Sequence, residues 1–218
     1  AATRILESAG FRVELAAGTV CCGRPLISKG LLRQAQASAR HNVAALSPYV
    51  ERGLPIVGLE PSCILTLRDE YPDLVDDPRT GALADNSYLL EEFLADLAGR
   101  GQLQVPFTDA RRSILVHGHC QQKALVGVAP TLAVLNLPPN YRAAAIDAGC
   151  CGLAGSFGHE KEHYELSMKV GEERLFAAVR SADPGVEIVA VGTSCRHQIA
   201  HGTGRRARHW AEVLAEAL

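Results

Sequence analysis

Two adjacent-cysteine pairs, each followed by glycine, carry the chemistry this chain offers: Cys21-Cys22-Gly23 and Cys150-Cys151-Gly152. Neighbouring thiols make poor disulfides, because a vicinal bridge closes a strained ring. One Gly-flanked turn does, however, aim two thiolates at one site. Each pair has a later partner in a matching context. "IVGLEPSC" ends at Cys63, and "IVAVGTSC" ends at Cys195. The seventh cysteine, Cys120, precedes the second pair. Cys120, Cys150, Cys151 and Cys195 therefore offer four soft ligands, suited to an iron–sulfur cluster or zinc. Zinc sites usually draw on short Cys-x2-4-Cys pairs. Here 29 residues separate Cys120 from Cys150 and 43 separate Cys151 from Cys195, so spacing leans to a cluster. Zinc, thiol–disulfide chemistry and plain buried cysteines stay open as alternatives. The first half offers three thiolates, Cys21, Cys22 and Cys63, with Glu60 as a hard oxygen ligand. That mixed set suits zinc better than a cluster and predicts a second, weaker site.

Other side chains have two readings each. His117 and His119 flank Gly118 just before Cys120. They are either ligands or donors to a cluster sulfur, or they satisfy local backbone at a turn. His159 and His163 have the spacing of a metal pair on a helix, but Glu160, Lys161 and Glu162 surround them, which favours a solvated face. Arg196, His197 and His201 follow Cys195. They either place positive charge beside a bound group or simply begin a helix. Arg205, Arg206 and Arg208 form the one local basic cluster and read as solvated surface. "GLAGSFG" lacks the Gly-Lys-Ser/Thr ending of a phosphate loop, and the adjacent cysteines account better for its glycines.

Those residues need elements to hold them. Ala2 to Ser8 reads as the end of a helix closed by Gly10, and Phe11 to Leu15 alternates as a short strand. Residues 30–46 have helical apolar spacing, 55–59 form a buried strand, and Pro61 opens a helix toward Glu70. Residues 71–81 read as a loop, and Ser87 to Leu97 as an amphipathic helix. In the second half, strands are predicted at 113–116, 142–146 and 186–191. Helices are predicted at 121–126, from Pro130 to Leu137, at 159–179, from Cys195 onward, and from Trp210 to Leu218. This alternation indicates an α/β protein of two pseudo-repeated halves with mostly parallel sheets and flanking helices. The cysteine turns fall at the carboxyl ends of strands, where ligands gather in open α/β sheets. Helix starts there favour thiolate over thiol. The halves divide as 1–100, a linker at 101–112, and 113–218.

The repeat is close in register: Cys21 lies 129 positions before Cys150, and Cys63 lies 132 before Cys195. The counterpart of Cys120 would fall before residue 1. The expectation is a chain cut inside its first half-repeat, or a first half that lost that element. Apolar content of 47% with 21% charged residues is ordinary globular composition. A net charge of −2 argues against a nucleic-acid surface. No apolar run approaches the ~20 residues of a transmembrane helix, and no signal peptide is visible. The cysteine pattern suits a reducing compartment, so the expected location is cytoplasmic, with a peripheral place on the inner face of the membrane as its variant.

The layout Cys, a gap of about 30, Cys-Cys-Gly, a further gap, then Cys resembles the cysteine-rich CCG domain. That domain occurs in the cysteine-rich subunit of heterodisulfide reductase, in the iron–sulfur subunits of glycolate oxidase and anaerobic glycerol-3-phosphate dehydrogenase, and in lactate-utilisation proteins. The strings "GLEPSC", "VHGHCQQKAL", "DAGCCGLAGSFGHEKEHYELS" and "GTSCRHQIAHGTGRRARH" look most like the C-terminal part of FAD-linked oxidases acting on D-lactate or D-2-hydroxyglutarate. The resemblance implies an iron–sulfur electron-transfer domain of an oxidoreductase acting on a 2-hydroxy acid. FAD would sit in a partner or in an upstream domain, and a quinone or electron carrier would take the electrons. In the heterodisulfide reductase relative each half ends in Cys-x-x-Cys, and five cysteines hold a noncubane 4Fe-4S cluster. Here Gly192 replaces the first cysteine of that motif, and Glu60 stands at the equivalent place. A four-thiolate 4Fe-4S cluster is the simpler expectation. Ferredoxin motifs, a flavin-binding region and a GxGxxG fingerprint do not occur, so the chain is not expected to turn over substrate alone. The competing classes are a zinc-stabilised docking module and a stand-alone thiol–disulfide reductase.

Overall fold

A computed structural model describes residues 1–218. In chain order the elements are α1 (Ala2–Ser8), α2 (Arg24–Ser28), α3 (Leu32–Glu51), β1 (Ile56–Gly58), α4 (Pro61–Leu65), α5 (Tyr71–Leu74), α6 (Arg79–Asp85), β2 (Ser87–Leu89) and α7 (Leu90–Gly99). They continue as β3 (Arg112–His117), α8 (Cys120–Leu125), α9 (Ala129–Leu135), β4 (Tyr141–Ala145), α10 (Tyr164–Gly171), α11 (Ala177–Ser181), β5 (Glu187–Ala190), α12 (Thr193–Thr203) and α13 (Trp210–Ala215). Wide π-helical turns join α4 to α5 (Thr66–Glu70) and α10 to α11 (Glu172–Phe176). The contacts divide the chain into two compact units. One is Glu14–Phe93; the other joins Ala1–Val13 to Leu94–Leu218. These bounds follow packing and differ from the bounds of the sequence repeat.

In the unit 14–93, β1 and β2 pair in parallel, with Ile56 opposite Ser87 and Gly58 opposite Leu89. The long helix α3 buries Ala35, Ala39, Val43 and Leu46, a stripe at helical spacing. In the other unit, three parallel strands lie in the order β4-β3-β5. Behind them Leu175, Phe176, Val179, Ile188 and Ile199 form an apolar core that also takes in Cys151 and Cys195. Helix α1, through Ile5 and Leu6, packs with α13 in this same unit. Residues 102–111 form neither helix nor strand. The Thr108 N–H donates to Ala217 O, and Asn140 donates to Asp109 O. The mixed α/β architecture with parallel sheets and flanking helices is as the sequence predicts.

Several local expectations are corrected. Phe11 to Leu15 is not a strand: alternation needs a neighbouring edge to pair with, and Leu15 is 88% exposed. Ser87 to Leu89 leaves the predicted helix to pair with β1, while the Ser87 hydroxyl donates to Leu83 O. Residues 71–81 hold two short helices rather than a loop. Pro72 lies in the first turn of α5 and Pro78 caps α6, places where a missing N–H is harmless. The helix predicted from His159 begins only at Tyr164.

Candidate functional site

Each of the four second-half cysteines follows the carboxyl end of a strand. Cys120 is the first residue of α8, just after β3. Cys150 and Cys151 lie on the loop after β4. Cys195 is the third residue of α12, after β5. β3 is the central strand, flanked by β4 and β5. The chain leaves β3 for one neighbour and later returns to the other, which makes this a topological switch point. The first half repeats part of the plan. Cys63 is the third residue of α4, after β1, and Cys21 and Cys22 form a turn before α2.

The glycine after each pair has a physical reason. Gly23 has φ +87° and Gly152 φ +96°, left-handed values that L side chains rarely adopt. At Gly152 a Cβ would also run into the carbonyl oxygen of Ser167. The turn lets backbone N–H groups reach sulfur: the Gly152 N–H donates to Cys150 Sγ at 3.3 Å. Leu153 gives Cys151 the same kind of bond, and Arg24 gives it to Cys22.

The thiols touch in series. Hydrogen bonds from Cys120 and then Cys151 hold Cys150 far below the ordinary thiol range. Cys120 is pushed up, chiefly because it donates to Cys150 and then because it is buried. Cys151 is pushed up because its one proton is drawn first to Cys150 and then to Cys195, and because it is buried. Cys195 is lowered by the Cys151 bond, against its own burial and with help from His117. The ionised form is thus favoured at Cys150 and Cys195 and disfavoured at Cys120 and Cys151. In the first half, Cys63 donates to Cys22 and lowers it to about 6; Cys63 itself is pushed up by that bond, by burial and by the charges of Cys22 and Glu60. Glu60 is the N-cap residue of α4, and its carboxylate accepts from the Ser62 hydroxyl at 2.9 Å.

All four residues of the second-half set are therefore brought together, as are Cys22, Cys63, Cys21 and Glu60 in the first. No three Cys, His, Asp or Glu side chains already surround one point as ligands of a single ion would. The second-half donors fit an iron–sulfur group better. They are four soft thiols gathered at one end of the sheet, Cys150 and Cys151 reached by backbone N–H groups, with an unpartnered buried imidazole beside them.

Supporting residues that spacing did not single out hold both turns. Lys123, one turn along α8 from Cys120, donates to Ala148 O at 2.6 Å and Gly149 O at 2.5 Å. It thereby ties the Cys150 loop to the helix carrying Cys120. Asn42 accepts from the Val20 N–H at 2.8 Å and donates to Cys21 O and to the Tyr71 hydroxyl; Tyr71 in turn donates to Cys22 O at 2.9 Å. Burial, opposed by the Asn42 bond, pushes the Tyr71 phenol up to about 12. A single sequence holds no signal for these long-range bonds.

The remaining candidates resolve differently. His119 caps α8: its Nδ1 accepts from the Gln121 N–H while Gln122 accepts from the His119 N–H. His159 and His163 do not share a helix; His163 pairs with Glu160 and stacks on Phe157 at 4.1 Å. Arg196 donates to Ala190 O and Val191 O, and the Tyr164 hydroxyl pairs with His201 at 2.6 Å. Arg205 is not solvated surface: it donates to Ala182 O and Val186 O.

Comparison with known proteins agrees with the motif. The family model described as a cysteine-rich domain, CCG, matches residues 1–68. The chain is 30% identical over 217 residues to a subunit of the anaerobic glycerol-3-phosphate dehydrogenase of Escherichia coli (strain K12), covering 99% of this chain and 54% of that protein. It is 29% identical over 216 residues to D-2-hydroxyglutarate dehydrogenase of the same strain, covering 99% of this chain and 20% of that one. It is 26% identical over 231 residues to lactate utilization protein A of Macrococcus caseolyticus (strain JCSC5402), covering 99% and 85%. The match to the CCG cysteine-rich domain over residues 1–68 agrees with the resemblance read from the cysteine strings. The chain spans about half the length of the first relative and a fifth of the second.

Proposed function

We propose that this chain is the iron–sulfur electron-transfer domain of an FAD-linked oxidoreductase acting on a 2-hydroxy acid. The observation that carries the reading is the placement of four cysteines at the carboxyl ends of three adjacent parallel strands. Cys120, Cys150, Cys151 and Cys195 would hold a 4Fe-4S cluster, which when bound takes up and passes on single electrons. The chain's own residues orient the four sulfurs, favour the ionised form at Cys150 and Cys195, and shield Cys151 and Cys195 from water within the apolar core. Binding requires every ligand thiol to give up its proton, most costly at Cys120 and Cys151, which are pushed up. In the first half, Cys21, Cys22, Cys63 and Glu60 form the weaker site, suited to zinc.

The partner that oxidises substrate is a flavin domain, in the same full-length chain or in a separate one. A quinone or an electron carrier receives the electrons. Among the relatives, two are named for hydroxy acids, D-2-hydroxyglutarate and lactate, and one for glycerol-3-phosphate. No helix is long and apolar enough to cross a membrane. A cytoplasmic place, or a peripheral one on the inner face of the membrane, suits cysteines used as metal ligands. One observation favours a second reading, a thiol–disulfide reductase: Cys150 is partly exposed and pushed well below the ordinary thiol range by the neighbouring Cys120.

The test loads the chain anaerobically with iron and sulfide and mixes it with photoreduced free flavin. The expected result is bleaching of the cluster's visible absorption, with no oxidation of D-lactate or D-2-hydroxyglutarate by the chain alone. Steady hydroxy-acid turnover without added flavoprotein would overturn the reading. Disulfide turnover by the metal-free chain would move the assignment to the second one.

A further inference from the structure

His117 is the last residue of β3, three residues before Cys120. Its ring is fully buried, and neither Nδ1 nor Nε2 has a hydrogen-bond partner. Of the five unpartnered buried side-chain atoms in the chain, two are on this one ring. A neutral imidazole carries one donor and one acceptor. A buried polar group left unpaired is destabilising, so such a group calls for an explanation. The ring's neighbours supply one. It lies close enough to Cys195 and Cys150 to favour their thiolates, without a hydrogen bond of good geometry to either.

His119 is the control. It is close by and nearly as buried, but its Nδ1 is occupied by the α8 cap. Its ring fills the space a Cβ at Gly192 would need. The two histidines of "HGHC" therefore part company: His119 holds the helix start, and His117 is left with a polar edge and no partner.

We propose that His117 donates a ring N–H to a sulfur of the group bound by Cys120, Cys150, Cys151 and Cys195, and so sets that group's reduction potential. The proposal rests on the iron–sulfur reading above. An N–H directed at a cluster sulfur favours the more negative, reduced state, so it raises the potential. His117 is thus a positioning and tuning residue rather than a fifth ligand.

The experiment uses the full chain, loaded anaerobically, as wild type, His117→Leu and His117→Gln. Iron and sulfide are measured first. Equal loading in all three is expected, because no ligand has changed; a wild type without iron and sulfide would sink both the electron-transfer reading and this one. The midpoint potential should fall in His117→Leu and recover in His117→Gln, whose amide can still donate. Pulsed EPR of the reduced wild type, labelled with 15N-histidine, should show a weak nitrogen coupling of the hydrogen-bonded kind; this measurement needs no substitution and stands even where His117→Leu fails to fold. Unchanged potential in a fully loaded His117→Leu, or no histidine coupling, would refute the proposal. A coupling of the size seen for coordinated nitrogen would refute it too, by making His117 a ligand.

Discussion

Replacing Gly152 with alanine should destabilise the protein more than replacing Gly23, although both glycines follow a cysteine pair. Both carry left-handed backbone, φ +96° and φ +87°. A Cβ in that region costs about 1–2 kcal/mol at either position. The surroundings then decide the difference. The Cβ of Gly23→Ala would meet Ala35 at 3.5 Å, an ordinary contact. The Cβ of Gly152→Ala would overlap the backbone oxygen of Ser167, with the Gly171 nitrogen behind it at 3.2 Å. Backbone in the first turns of α10 yields poorly, so overpacking adds about 1–3 kcal/mol. The totals are about 1–2 kcal/mol for Gly23→Ala and roughly 2–5 kcal/mol for Gly152→Ala. Urea unfolding of the metal-free chain measures both. Trp210, the one tryptophan, is fully buried in the unit that holds Gly152 and reports it by fluorescence; far-ultraviolet circular dichroism follows the rest. A loss for Gly152→Ala equal to or smaller than that for Gly23→Ala would refute the argument from the Ser167 carbonyl.

Thiol reactivity should run against exposure. In the metal-free chain at pH 6, iodoacetamide should modify Cys150 before Cys120, though Cys120 is the more exposed. Cys150 is depressed and keeps its thiolate as pH falls, whereas Cys120 is raised and stays protonated; peptide mapping that finds Cys120 modified first would contradict this. Glu216 is lowered to about 2, first by Arg208 and then, against burial, by Arg112. Its contribution is therefore present above the ordinary glutamate value of 4.5 and is lost as pH falls from there toward 2. Because Glu216 is 44% exposed, Glu216→Gln should cost under about 1 kcal/mol at pH 7 and nothing at pH 2, read from urea midpoints. A chain lacking Cys120, Cys150, Cys151 and Cys195 should retain at most zinc at the first-half site, and a stoichiometric 4Fe-4S cluster remaining in it would contradict the ranking of the two sites.

The parts of this protein legible in its sequence are those fixed by local chemistry. Glycine after each cysteine pair marks a left-handed turn because no other residue takes φ near +90° cheaply. Apolar runs such as Ile188 to Val191 mark buried parallel strands, and their ends place the cysteines. What was not legible depends on distant partners. Ser87 to Leu89 carries a helical pattern yet pairs with β1, because a free edge was available there. Phe11 to Leu15 alternates like a strand and has no edge to join. "HGHC" shows two equivalent histidines; only the packed structure shows that one caps a helix and the other is unpartnered. The Lys123 clamp joins residues 25 and 26 positions apart, a distance no local pattern encodes.

The central claim is that Cys150 and Cys151, with Cys120 and Cys195, hold one iron–sulfur group. The most direct measurement is iron and acid-labile sulfide in anaerobically prepared wild type, Cys150→Ser and Cys151→Ser. Each substitution removes one of four soft ligands. The account predicts iron and sulfide in the 1:1 ratio of a 4Fe-4S cluster in the wild type, and loss of most of both in each variant. Unchanged iron in the two serine variants would contradict it.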